Sequence, residues 1–190
     1  MKLYLTRHGK TKENMKGIIQ SHEGGNLSSL GISQAIDLGR RLKNEGIEYI
    51  YSSDLKRAVD TALEIASIIN PKFIQKTPLL REAYFGKYEG MKKKGIDWRN
   101  VDGIESQEDL QKRTKEFYEK IILNNHKINK DDRILVVSHA GTMKALTSIL
   151  KNIHYDKIWD MPTPKNTALS CFEIREKGIN ILYENSKISD

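Results

Sequence analysis

The sequence predicts a three-layer α/β/α sandwich with a mostly parallel central sheet. Three observations carry that expectation. Strand-like and helix-like patterns alternate along the chain. One run, Arg133–Ser138, has the unbroken apolar character of a central strand covered on both faces. No repeat, low-complexity stretch or linker interrupts the 190 residues, a length suited to one domain (1–190) with a sizeable core.

The elements follow in order. Lys2–Thr6 reads as the first strand and ends in a polar loop, Arg7 to Asn14. After a glycine-rich stretch, Ser28 or Ser29 can cap a helix that turns Leu30, Ala35, Leu38 and Leu42 toward a core, with Gly46 closing it. Ile47–Ser52 is rich in β-formers. Ser53 or Asp54 then opens a second helix with Leu55, Ala58, Val59, Ala62, Ile65, Ala66 and Ile69 at helical spacing, stopped before Pro71. Phe73–Lys76 is a weaker strand. Residues 82–105, rich in glycine and lysine, read as a loop with one short helix at most, and about 87–105 as a short lid. Ser106 caps a long helix with Leu110, Thr114, Phe117, Tyr118, Ile121 and Ile122 on one face. A helix from about Gly141 to Lys151 follows the Arg133–Ser138 strand. Beyond Pro162 and Pro164, Ala168–Ile174 and Ile179–Glu184 form a closing hairpin.

Composition narrows the class. No apolar run approaches the roughly 18 residues of a membrane span, and the N-terminus lacks a secretory signal pattern, so a cytoplasmic address is expected. The single cysteine, Cys171, cannot form an internal disulfide. The net charge of +7 invites a nucleic-acid reading. The lysines are dispersed, however, and only 7% of residues are aromatic, with no stacking platform, which favours a solvated basic surface. No metal-ligand spacing or cofactor motif occurs. No apolar stripe is left over to indicate an oligomer.

Three features stand at corresponding places. Arg7-His8-Gly9 follows the first strand, Arg57 lies on the first turn of the helix after the second, and His139 follows the fourth. Ligands of open α/β sheets sit beyond the carboxyl ends of the strands, so these residues can converge. Two arginines and two histidines meeting there would form an anion site suited to a phosphoryl group, whose oxygens match the guanidinium fork.

At these residues the chain resembles the histidine phosphatase superfamily, the phosphoglycerate-mutase-like proteins. Leu5-Thr6-Arg7-His8-Gly9-Lys10-Thr11 with Asn14 is similar to the family's opening signature, and Leu27-Ser28-Ser29-Leu30-Gly31-Ile32-Ser33-Gln34-Ala35 to its next helix start. Ser52-Ser53-Asp54-Leu55-Lys56-Arg57-Ala58 with Thr61-Ala62 matches the second arginine motif. Leu80-Arg81-Glu82 with Phe85-Gly86 and Glu89-Gly90 matches the acid-donor segment, and Gly103-Ile104-Glu105-Ser106 and Val136-Val137-Ser138-His139-Ala140-Gly141 complete the order. The similarity runs from residue 2 to about residue 147.

The resemblance implies a phosphohydrolase that uses no metal and no cofactor and acts on a small phosphorylated substrate. His8 would be the nucleophile, forming a phosphohistidine that water hydrolyses. Arg7, Arg57, His139 and backbone amides near Ala140 would surround the phosphoryl oxygens, joined by Gly9, Thr11 and the Asn14 amide as binding residues. Glu82 would protonate the leaving alkoxide, which requires it to hold a proton part of the time near neutral pH. Glu13 and Glu89 are its rivals for that role. Arg57 could instead pair with Asp54 or Asp60 on the surface. His22, His126 and His154 read as structural or solvated.

Four departures matter. Lys10 replaces a common Glu or Gln, Gly24 a common aspartate, and Ala140 a common glycine. Only the twelve residues 91–102 separate Glu89-Gly90 from Gly103-Ile104-Glu105-Ser106, little with which to build the lid a mutase needs to exclude water. Phosphatase is therefore favoured over phosphoglycerate mutase, and the joint presence of His8, Arg57, Glu82 and His139 favours it over a non-catalytic phospholigand-binding module. Residues Lys87 to Trp98, with Lys92-Lys93-Lys94, form the expected rim that selects the leaving group. Basic side chains there suit an acidic or multiply phosphorylated substrate, or equally a solvated lysine run. Sugar phosphates, phosphoglycerates, α-ribazole phosphate and phosphoserine all fit the family.

Overall fold

A computed structural model describes residues 1–96 and 101–186. Six strands form one sheet in the order β3-β2-β4-β1-β5-β6. Here β1 is Lys2–Arg7, β2 Tyr49–Ser53, β3 Phe73–Thr77, β4 Arg133–Ser138, β5 Leu169–Arg175 and β6 Gly178–Ser186. The first four are mutually parallel. β5 runs antiparallel to β1 and pairs with β6 as the closing hairpin.

Side chains alternate across the strands, as the pleat demands. Leu3, Leu5, Ile134 and Val136 face one way, against Met143 and Leu146 of α5 (Ala140–Leu150) and Phe117 beyond α4 (Gln107–Glu116). Tyr4, Ile50, Leu135 and Val137 face the other way, against Leu38 and Leu42 of α2 (Ser29–Leu42) and Ala58, Ala62 and Ile65 of α3 (Lys56–Ile69). Helices thus cover both faces, and the three-layer expectation holds.

Several local expectations are corrected. Leu30 is exposed, at 48%. The buried positions of α2 are Gly31, Ala35, Leu38 and Leu42, and Leu30 stands one residue, about 100° of helical rotation, away from that stripe. The polar loop after β1 contains a short helix, α1 (Lys12–Lys16), started by a capping box between Thr11 and Asn14. Helix α3 is capped neither by Ser53 nor by Asp54. Its N-cap is Leu55, with no side-chain bond, because Asp54 is engaged by Arg81 at 2.6 Å and Ser53 Oγ accepts the Leu55 N–H. Beyond α4 the chain widens into a π-helical stretch, Phe117–Leu123, which keeps Phe117, Tyr118 and Ile122 buried. Trp98, expected on the rim, lies outside the described residues.

The topology positions the site. β1 and β4 are adjacent, with Arg7 in register with Ser138, and the His8 N–H donates to the Ser138 carbonyl at 2.9 Å. The residues that follow these two strands, His8 and His139, are therefore neighbours although 131 positions separate them (139 minus 8).

Candidate active site

The loop after β1 is clamped before it reaches any ligand. A Cβ on Gly9 would meet the Gly31 carbonyl oxygen at 2.4 Å, and one on Gly31 would meet the Lys10 oxygen at 2.1 Å, so two backbones touch where both glycines stand. Ser28 Oγ donates to the Lys10 carbonyl at 2.8 Å, and Gln34 Oε1 accepts the Lys10 N–H at 3.0 Å. The start of α2 thus fixes the turn that presents His8.

His8 is 2% exposed, and its Nδ1 lies 2.8 Å from the Gly9 carbonyl oxygen. A carbonyl only accepts, so Nδ1 carries the hydrogen and Nε2 keeps the lone pair. Burial, then the nearby Arg7 and Arg57 charges, hold the ring's pKa well below 6.5. At neutral pH His8 is an uncharged imidazole with one fixed tautomer, the form a nucleophile requires.

Around it stand three further groups. The His139 ring lies 5.2 Å from that of His8, centroid to centroid, and is fully buried. Burial and the same two arginines hold its pKa well below 6.5 as well. Arg57, 1% exposed, is braced by the Ser21 carbonyl at 2.8 Å and more loosely by that of Gly24. Burial pushes its pKa down to about 10, which leaves it charged at neutral pH. Arg7 donates from Nη1 to the Pro164 carbonyl at 2.9 Å. The surface alternative for Arg57 is not what the fold adopts: Asp54 pairs with Arg81 and Asp60 with Lys56.

Among the described residues, four buried side-chain nitrogens have no hydrogen-bond partner: Arg7 Nε, Arg57 Nε and both ring nitrogens of His139. Buried polar groups are nearly always paired, and an orphan costs free energy. All four orphans belong to this one cluster. Such an arrangement is poised for an anion.

Glu82 closes the opposite side. It is 7% exposed, and its Oε1 accepts the amides of Gly141 at 2.9 Å and Ala83 at 3.0 Å. That leaves Oε2 toward a cavity of about 270 Å³, lined by Arg7, His8, Asn14, Arg57, Glu82 and Ala140 among others. Glu13 and Glu89 are not on its wall. Glu89 instead accepts the Ser21 and Glu23 amides and so anchors the loop that braces Arg57.

Two expected binding residues lie one layer behind. The Thr11 hydroxyl is fully buried in its capping bond and against Gln20, and the Gly9 N–H donates to Thr61 Oγ1 at 2.9 Å. Asn14 does reach the cavity. Its Oδ1 accepts from Thr11 N and Asn166 Nδ2, which aims its amide nitrogen away from those partners. Ala140 opens α5 at the cavity, where a helix N-terminus favours negative charge. His22 supports the Glu82 carbonyl at 2.9 Å, whereas His126 and His154 are exposed.

Sequence reasoning missed several contributors. Asn166 holds the His8 carbonyl at 2.9 Å. Arg113 ties the Leu79 and Glu82 carbonyls to the Glu105 carboxylate. Lys144 and Trp159 line the cavity as well, beside Phe85 of the acid-donor segment and Lys93 of the expected rim. Of the lysine run, Lys93 alone is on that wall. Among the described residues no cluster of three His, Cys, Asp or Glu could hold a metal ion, and no helix is long and apolar enough to cross a membrane.

Comparison with known proteins agrees with this geometry. The profile of the histidine phosphatase superfamily (branch 1) matches residues 3–187. Phosphoserine phosphatase 1 of Hydrogenobacter thermophilus is 30% identical, with 97% of this chain and 92% of that protein covered. The metal-independent phosphoserine phosphatase of Arabidopsis thaliana is 34% identical over 76% of this chain and 66% of its own length. The solved structure of Bacillus stearothermophilus YhfR superposes with a TM-score of 0.86 at 26% identity, covering 97% of this chain and 96% of that one. A sheet that sets His8 beside His139, a buried Arg57 and a profile spanning nearly every residue lead to one conclusion: the chain belongs to branch 1 of the histidine phosphatase superfamily.

Proposed function

We propose that this protein hydrolyses small phosphomonoesters without a metal ion, through a phosphohistidine on His8. The observation that carries the reading is the set of four orphaned buried nitrogens converging beside a neutral His8. Nε2 of His8 attacks phosphorus as the bond from phosphorus to the ester oxygen breaks. Glu82 gives its Oε2 proton to that departing oxygen. Water then attacks the phosphohistidine, returns a proton to Glu82 and releases inorganic phosphate, leaving His8 neutral. Arg7, Arg57, His139 and the Ala140 amide stabilise the equatorial oxygens, supplying the positive field that metal ions supply in kinases.

The chain works as one domain, in the cytoplasm, with the region about 87–105, of which residues 97–100 lie outside the described residues, as a short lid. The names of the two phosphoserine phosphatases among its relatives make O-phosphoserine a first substrate to test. The decisive assay is phosphate release from p-nitrophenyl phosphate in EDTA, followed by a screen of phosphorylated metabolites. Activity that survives EDTA and is inhibited by vanadate supports the reading. Isomerisation stimulated by bisphosphoglycerate and outrunning phosphate release would replace it with a mutase.

A further inference from the structure

Resting on that hydrolase reading, we propose that Lys144 is a specificity-determining residue that reads a second negative charge on the leaving group, one helical turn from the phosphoryl site. Lys144 is 8% exposed, and its Nζ donates to one partner, the Trp159 carbonyl at 3.3 Å. An ammonium carries three N–H donors and is costly to bury without an anion. No carboxylate among the described residues lies within ion-pair distance of it. Lys93, Glu82 and Asp160 act on it electrostatically, and the Glu82 Oε1 also accepts two backbone amides. The protein therefore holds a lysine at the cavity wall in the field of Glu82 and Asp160, with no carboxylate among the described residues in direct ion-pair contact with its Nζ.

Its position gives the distance. Ala140 and Lys144 are four residues apart on α5 and both line the cavity, so they stand on one face of the helix, about 6 Å apart along its axis. A phosphoryl group at the first turn of α5 puts Lys144 within reach of an anion two or three carbons beyond the ester oxygen. Ile18, Phe85 and Trp159 supply an apolar wall for those carbons, and Lys93 adds a second cation at the rim. The favoured substrates are short phosphorylated hydroxy acids.

O-phosphoserine and phosphoethanolamine share a skeleton and differ by one carboxylate, which makes them the test pair. The wild-type protein should favour phosphoserine by about 10- to 100-fold in kcat/KM, the usual worth of one charge-assisted hydrogen bond. Lys144→Met should collapse that ratio to within a few fold, and Lys144→Arg should keep it. If the Met variant does not fold, Lys144→Gln, which can still donate to the Trp159 carbonyl, carries the same expectation. Calorimetric binding of the two esters to His8→Ala protein reads the preference without turnover, so a failed hydrolase reading and a failed Lys144 reading are separable. Equal binding of both esters, or a preference that survives Lys144→Met or Lys144→Gln, would overturn the inference.

Discussion

The amide of Gly141 donates to Oε1 of Glu82 at 2.9 Å, which ties the proposed acid to the turn of α5 proposed to cradle the phosphoryl group. A Cβ at Gly141 would sit 2.7 Å from that same oxygen and 3.3 Å from the Trp159 ring. The acid and the oxyanion donors thus keep their spacing only if residue 141 has no side chain. Gly141→Ala should lower kcat by about 10- to 100-fold, as expected for ångström-scale misplacement, while the protein stays folded. Steady-state kinetics with circular dichroism as the fold control reads this; unchanged kcat would release Glu82 from the role.

Glu82→Gln should separate leaving groups. A nitrophenolate departs readily unprotonated, whereas an alkoxide needs a proton, so the loss should be larger for alkyl than for nitrophenyl phosphate. Parallel kcat measurements on the two esters test it. Equal losses would place the proton donor elsewhere in the cavity.

Arg57→Met should cost about 10²- to 10³-fold in kcat/KM, the range for removing one oxyanion donor. The same orphaned nitrogens predict that inorganic phosphate raises the melting temperature of the wild-type protein, by about 2.7 kcal/mol of stabilisation at one hundred times its Kd. A thermal-shift titration should show that rise, and Arg57→Met should flatten it.

Acid should destabilise the fold through the two active-site rings. The folded protein holds His8 and His139 with pKa values well below 6.5, chiefly by burial, while the unfolded chain takes up protons near 6.5. Below that pH the unfolded state binds more protons, so stability is full above 6.5 and is lost as pH falls toward the folded values. Each ring contributes up to about 1.4 kcal/mol per pH unit. Urea unfolding should show a less stable protein at pH 5.5 than at pH 7, and the His8→Asn/His139→Asn double variant should lose most of that difference. A wild-type protein equally stable at both would contradict the burial argument.

The legible part of the molecule was the part with local cause. Arg133–Ser138 announces a central strand because burial on both faces leaves no polar position from Ile134 to Val137, and it is one. Residues whose chemistry is unusual at a strand end, such as His8 and His139, can be read before their convergence is seen. Gly31 and Gln34 are recognisable as a motif, yet their purpose, gripping the backbone of Lys10, exists only once α2 meets the loop after β1. Thr11 shows the opposite error. A hydroxyl beside the nucleophile suggests a ligand contact, and the local capping geometry takes it instead. Asn166, Pro164 and Trp159 gave no signal, because they come from an irregular stretch whose place is set by packing and not by periodicity.

Trapping the covalent intermediate is the most direct test of the mechanism. The protein is mixed with phosphate-labelled substrate, quenched in alkali within a turnover, digested and sequenced by mass spectrometry. One acid-labile, alkali-stable phosphoryl group is expected on the peptide carrying His8, absent from His8→Ala. A wild-type protein that turns over with no adduct, together with a His8→Ala variant of undiminished rate, would contradict it.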